Sequence, residues 1–138
     1  MDIVINYWAV LVAAIVSFFI GMAWYSPLLF VKPWMHEMGK TFDPKAMPGM
    51  SSMASQMAVS FVAQLVGAYV LAHVAVAFGA VGVSGAVQLA VWVWIGFLAT
   101  NALAPVLWEG RSMKWYAITA GHLLISTLAA SLILVLWV

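Results

Sequence analysis

Four stretches of this chain, Val4 to Trp24, Ala54 to Phe78, Ala86 to Trp108 and Trp115 to Trp137, contain no Asp, Glu, Lys or Arg. A helix of about twenty residues, rising about 1.5 Å per residue, covers the roughly 30 Å hydrocarbon core of a bilayer. All four stretches reach that length. Composition points the same way, with 67% apolar and 7% charged residues and a mean hydropathy of +1.11. Soluble globular chains run near 45–50% apolar and roughly 25% charged. A water-soluble fold of 138 residues could not hide so much apolar surface. The expected fold is an all-α membrane protein, a single four-transmembrane-helix bundle over residues 1–138.

The first stretch lacks the features of a cleaved leader. The only charged side chain before it is Asp2, and no small-residue cleavage site is followed by soluble sequence, so it reads as a retained first helix. Between the first and second spans, Tyr25 to Met53 holds three of the five basic residues and four of the five prolines. Within it, Pro27 to Met38 reads as a short amphipathic helix lying in the interface. Ser26 is its N-cap, Pro27 its first residue, and Leu28, Phe30, Trp34 and Met38 are its lipid-facing side chains. Gly79 to Gly85 reads as an uncharged turn, Glu109 to Lys114 as a tight polar loop, and Pro105 as a bend near the end of the third span.

Orientation follows from the basic residues. Lys32, Lys40 and Lys45 fall in the first loop and Arg111 and Lys114 in the third, whereas the opposite face has no Lys or Arg. The positive-inside rule then places both chain ends outside and loops one and three in the cytoplasm. Trp24, Tyr25, Trp108, Trp115 and Tyr116 fall at the inner interface, and Tyr7, Trp8 and Trp137 near the outer one. That is the arrangement of aromatic belts.

The absence of cysteine excludes disulfide frameworks, thiolate catalysis and cysteine-ligated zinc. No ionisable carboxylate or ammonium lies deep in a span, which argues against a conventional pump. No paired carboxylates share a depth and no serine sits in a nucleophile elbow, so the chain is not expected to be an enzyme or to carry a cofactor. A net charge of +1 gives no reason to expect nucleic acid. The remaining partners are the lipid bilayer and other membrane-embedded chains, including further copies of this one.

Uncharged polar residues inside the spans are more informative. Asn101 lies seven residues before Trp108 and His122 seven after Trp115, on antiparallel neighbours, and Gln64 enters from the same side. Together with Thr100 they could form a polar pocket open toward the cytoplasm. Interhelical hydrogen bonding is the favoured alternative. Small residues recur four apart as Ala13, Ser17 and Gly21, as Gly96, Thr100 and Ala104, and as Ala117 and Gly121. Such stripes let helix backbones approach, within one chain or between chains. Met47, Met50 and Met53 have a spacing that invites a Cu(I) reading, since thioethers are soft ligands. Pro48-Gly49 interrupts any regular array and methionine is also an apolar filler, so no metal site is assigned.

Two segments carry a family likeness. Gly21-Met22-Ala23-Trp24-Tyr25-Ser26-Pro27-Leu28-Leu29-Phe30 resembles the G-x-x-W-Y-S-P-L-x-F signature of the domain-of-unknown-function 1761 family. Gly96 to Thr100, Leu107 to Ser112 and Ala117 to His122 resemble its second half, with Trp108 in place of Phe, Thr119 in place of Asn and His122 in place of Tyr. The resemblance implies a small four-span protein of a bacterial inner membrane and supplies no activity. It draws attention to Trp24, Tyr25, Ser26, Pro27, Glu109 and Arg111, all expected at the cytoplasmic end. The leading functional reading is a non-enzymatic structural or accessory protein acting through helix contacts, as a homo-oligomer or complex subunit. The alternative is a small permease or channel for a neutral or amphipathic molecule at the Gln64, Asn101 and His122 pocket.

Overall fold

The computed structural model describes residues 3–46, 49 and 51–138. Among these the chain is helical without strands, and four helices are long and apolar enough to cross a membrane. They are α1 (Tyr7–Trp24), α3 (Ala54–Phe78), a composite third span over Gly82–Trp108, and α6 (Met113–Leu136). Helices satisfy every backbone polar group within the segment, which lipid cannot do for them. We call the end of the bundle that carries all five Lys and Arg residues the basic end.

Side chains at the helix ends set the boundaries. Asn6 caps α1 by accepting from the Trp8 and Ala9 amides at 3.1 and 3.2 Å, so the helix begins at Tyr7 rather than Val4. Its amide also donates to the Trp137 carbonyl at 3.2 Å, latching the start of α1 to the end of α6. Ser112 caps α6 through the Trp115 amide, and helix therefore starts at Met113, two residues earlier than the apolar run.

Two expected connections differ. The turn after α3 is shorter than Gly79 to Gly85, because α4 (Gly82–Val93) already includes the last four of those residues. Gly79 ends α3 in the left-handed region at φ 71°, and the Ala80 amide returns to the Ala75 carbonyl. Gly85 then passes so close to Ala80 that a Cβ there would lie 3.1 Å from its carbonyl carbon. The first-loop helix, α2, spans only Val31–Glu37. Ser26 does not cap it: the Ser26 hydroxyl donates back to the Ala23 carbonyl, and residues 26–30 form turns. Pro33 lies in the first turn of α2, where a missing amide N–H costs no helical hydrogen bond.

The third span is not a straight helix. After α4 come a π-helical segment (Trp94–Ala99), a 3₁₀ turn (Asn101–Leu103) and α5 (Ala104–Trp108). Pro105 has no N–H for the Asn101 carbonyl, which accepts instead from Ala104. The Leu103 amide turns to the Thr100 carbonyl at 3.3 Å, and the Tyr116 hydroxyl of α6 donates to Ala99 at 3.0 Å.

In this bundle α6 is central. It packs along α1 and α4 and, over a shorter length, along α3, while α1 packs along α3 and α3 barely touches α4. The core lies toward the uncharged end and is built mainly of alanine: Ala9, Ala13 and Ala14 on α1, Ala68, Ala72 and Ala75 on α3, Ala86 on α4 and Ala130 on α6, closed by Leu71, Leu89 and Leu134. Small side chains bring backbones close, the usual way helices gain contact in lipid. Toward the basic end α3 departs from its neighbours, and from Ala54 to Ala63 only Met57 and Phe61 are even partly covered.

Candidate functional site

At the basic end the packing is aromatic. Trp24, at the last turn of α1, donates its indole N–H to the Ile118 carbonyl of α6 at 2.9 Å. Its ring lies against Gly121, where a Cβ would come within 3.2 Å, and 4.6 Å from the ring of Phe30. The Tyr25 ring lies 5.0 Å from that of Trp34 of α2, inclined at 58°, and meets His122 edge-on at 5.2 Å. Burial raises the Tyr25 phenol above its ordinary value; the Thr119 hydroxyl faces it and opposes that shift without closing a well-formed hydrogen bond. From the π-helical segment, Trp94 donates to the Ala120 carbonyl at 2.8 Å. Indole and phenol donors from α1, the third span and α6 thus bind backbone carbonyls across helix boundaries.

His122 sits between this cluster and a cavity. Its Nε2 is buried without a partner, pressed against Gly21, where a Cβ would lie 3.3 Å away. Trp34 Nε1, Trp115 Nε1 and Thr119 Oγ1 are likewise buried and unpaired. Below them a cleft of about 220 Å³ is lined by Ser17 of α1, Gln64 and Gly67 of α3, Val93 and Leu98 of the third span, and His122, Ser126 and Thr127 of α6, with aliphatic side chains between. It lies where α3 and the third span diverge.

Gln64 and His122 therefore share a cavity, whereas Thr100 and Asn101 do not line it. Both are exposed, and each folds back on its own helix: the Thr100 hydroxyl donates to Gly96 at 2.9 Å and the Asn101 amide donates to Phe97. The 3₁₀ turn at Asn101–Leu103 lies on the path counted back from Trp108, and its tighter winding breaks the phase of a straight-helix extrapolation to these two side chains. Ser17 and Thr127 enter the cleft instead. Ser17 was visible in the sequence as a member of a small-residue stripe. The role of Trp94 had no signal in the sequence.

The two family-like segments meet at the same end. Trp24, Tyr25 and Ser26 are partly buried there, while Pro27 and Glu109 are exposed and Arg111 is partly covered. Glu109 and Arg111 form no ion pair among the described residues. Their loop is closed by backbone, with the Glu109 and Arg111 amides both donating to the Pro105 carbonyl and Gly110 at φ 71°. Lys32 and Lys40 of the first loop and Lys114 of the third surround one surface depression with His36 and Thr41. Met47 and Met50 lie outside the described residues, and Met53 precedes α3. A cavity of about 480 Å³ lies at the uncharged end and is lined mainly by alkyl groups, with Asn6 already engaged in capping α1.

No curated protein and no solved structure matches the chain. The model of a family described as a protein of unknown function, DUF1761, matches residues 8–135, which is nearly the whole length. The chain belongs to the DUF1761 family.

Proposed function

We propose that this multi-pass protein works without catalysis, through helix contacts with another membrane chain, as a homo-oligomer or as an accessory subunit. One observation carries the reading: the small-residue stripe of the third span faces outward. Gly96, Thr100 and Ala104 are all exposed, and a Cβ at Gly96 would meet nothing within 4 Å. The corresponding stripe on α1 is consumed inside the chain, with Ala13 and Ser17 buried and Gly21 against His122. On α6, Gly121 is taken up by Trp24. Asn101 adds an exposed amide beside the outward stripe, and polar side chains at that depth stabilise helix pairs by roughly 0.6–2 kcal/mol.

The proposed setting is a bacterial inner membrane, with the basic end in the cytoplasm and both ends of this chain outside. The convergence of loops one and three on one basic surface supports that orientation. A photoreactive amino acid at position 100 tests the contact in native membranes. A discrete protein adduct, absent when the same group replaces Phe19 on the lipid-facing side of α1, is the expected result. Adducts with lipid alone at position 100 contradict the proposal.

A further inference from the structure

We infer that the cleft between α3 and the π-helical segment is a binding site for a neutral molecule bearing a hydrogen-bonding group, such as an alcohol, amide or carbonyl, admitted sideways from the bilayer. The lining itself argues for this ligand class. Ser17, Gln64, His122, Ser126 and Thr127 bring hydroxyl, amide and imidazole groups from α1, α3 and α6 to one cavity. Ser17 and Ser126 are themselves buried, and Ser17 lies seven residues, or roughly 10 Å, inside the end of α1. Polar groups at that depth have no water to turn to, and leaving them unpaired costs free energy. A ligand that pairs with them recovers it.

No Asp, Glu, Lys or Arg lines the cleft, so an ionic ligand would be buried without a counter-charge. His122 Nε2 is sealed against Gly21, which leaves Nδ1 as the ring nitrogen for a ligand. Size narrows the choice further. About 220 Å³ equals the liquid volume of about seven waters, at roughly 30 Å³ each. That is enough for a polar group and a few carbons, and less than the roughly 300–1,000 Å³ of a site enclosing a drug-sized ligand. A longer molecule would leave its apolar remainder in the seam where α3 and α4 scarcely touch. Gly67 keeps that seam open, since nothing lies within 4 Å of where its Cβ would be. The site does not depend on the outward face of the third span.

The test uses the full chain in nanodiscs of phosphatidylethanolamine and phosphatidylglycerol, with three diazirine photoprobes: an octanol, a butanol and an octane. Labelled residues are mapped by mass spectrometry. The alcohols should label the peptides containing Gln64 and Ser126 about tenfold more than the alkane, a difference of about 1.4 kcal/mol. Labelling by both alcohols identifies a small solute as sufficient; labelling by octanol alone identifies an amphiphile. Gly67→Leu places its side chain in the seam, with no atom within 4 Å of the added Cβ, and should reduce labelling about tenfold. The milder Ser126→Ala should reduce it to a smaller degree. Gly96→Leu, on the outward face, should leave it unchanged. Equal labelling by alcohol and alkane, or undiminished labelling of Gly67→Leu, would overturn the inference.

Discussion

The two halves of the bundle are held together by different chemistry. Toward the uncharged end, alanines on α1, α3, α4 and α6 let the backbones close on one another, and almost nothing polar is left inside. Toward the basic end, indole and phenol groups reach across to backbone carbonyls, α3 departs from its neighbours, and His122, Trp34, Trp115 and Thr119 keep unpaired polar atoms. Close packing has one good solution and resists change. An aromatic, partly satisfied region with an adjoining cleft tolerates additions at some positions and can respond to a ligand. The difference teaches that the alanine core and the polar cleft lie toward opposite ends of the same four helices.

Substitutions at the two ends should therefore behave differently, and reversible unfolding in mixed micelles measures each. Leu89 is 1% exposed and fills the centre of the alanine core, so Leu89→Ala should cost about 2–5 kcal/mol. A loss under about 1 kcal/mol would mean the core is looser than its burial implies. At the basic end, Gly21→Leu drives a side chain into His122 and should cost about 1–3 kcal/mol. Gly67→Leu, equally large but facing open space, should stay within about 0.5 kcal/mol of the parent. Equal penalties at the two glycines would erase the proposed cleft.

Trp24→Phe keeps an aromatic ring but removes the donor to Ile118, for an expected loss of about 0.5–1.5 kcal/mol. The smallest effect has the opposite sign. Ser131 is fully buried in the alanine half with an unpaired hydroxyl, so Ser131→Ala should stabilise by up to about 1 kcal/mol. Destabilisation there would reveal a partner for that hydroxyl.

Much of the architecture was legible because charge is so scarce. The charged residues delimited three apolar stretches, the glycine-rich turn from Gly79 to Gly85 divided the long middle one into two helices, and the family likeness included Trp24 to Phe30 and Leu107 to Ser112. The polar site was half legible. Gln64 and His122 were placed on one side of the bundle by counting from the helix ends, and they do share the cleft. Counting back from Trp108 failed for Thr100 and Asn101 because the 3₁₀ turn beside Pro105 breaks the helical phase. Apolar periodicity carries no trace of such an insertion when a helix is hydrophobic all round. Ser26 was likewise read as starting a helix, whereas its hydroxyl closes the end of α1.

The claim that the third span presents a face to another chain is tested most directly by native mass spectrometry of protein released from its own membrane in a mild detergent. A reproducible mass above the 14.9 kDa of one chain, reverting to the single chain in the Gly96→Leu, Asn101→Leu double variant, is the predicted result. A parent protein that flies only as a 14.9 kDa monomer, with no partner, would contradict it.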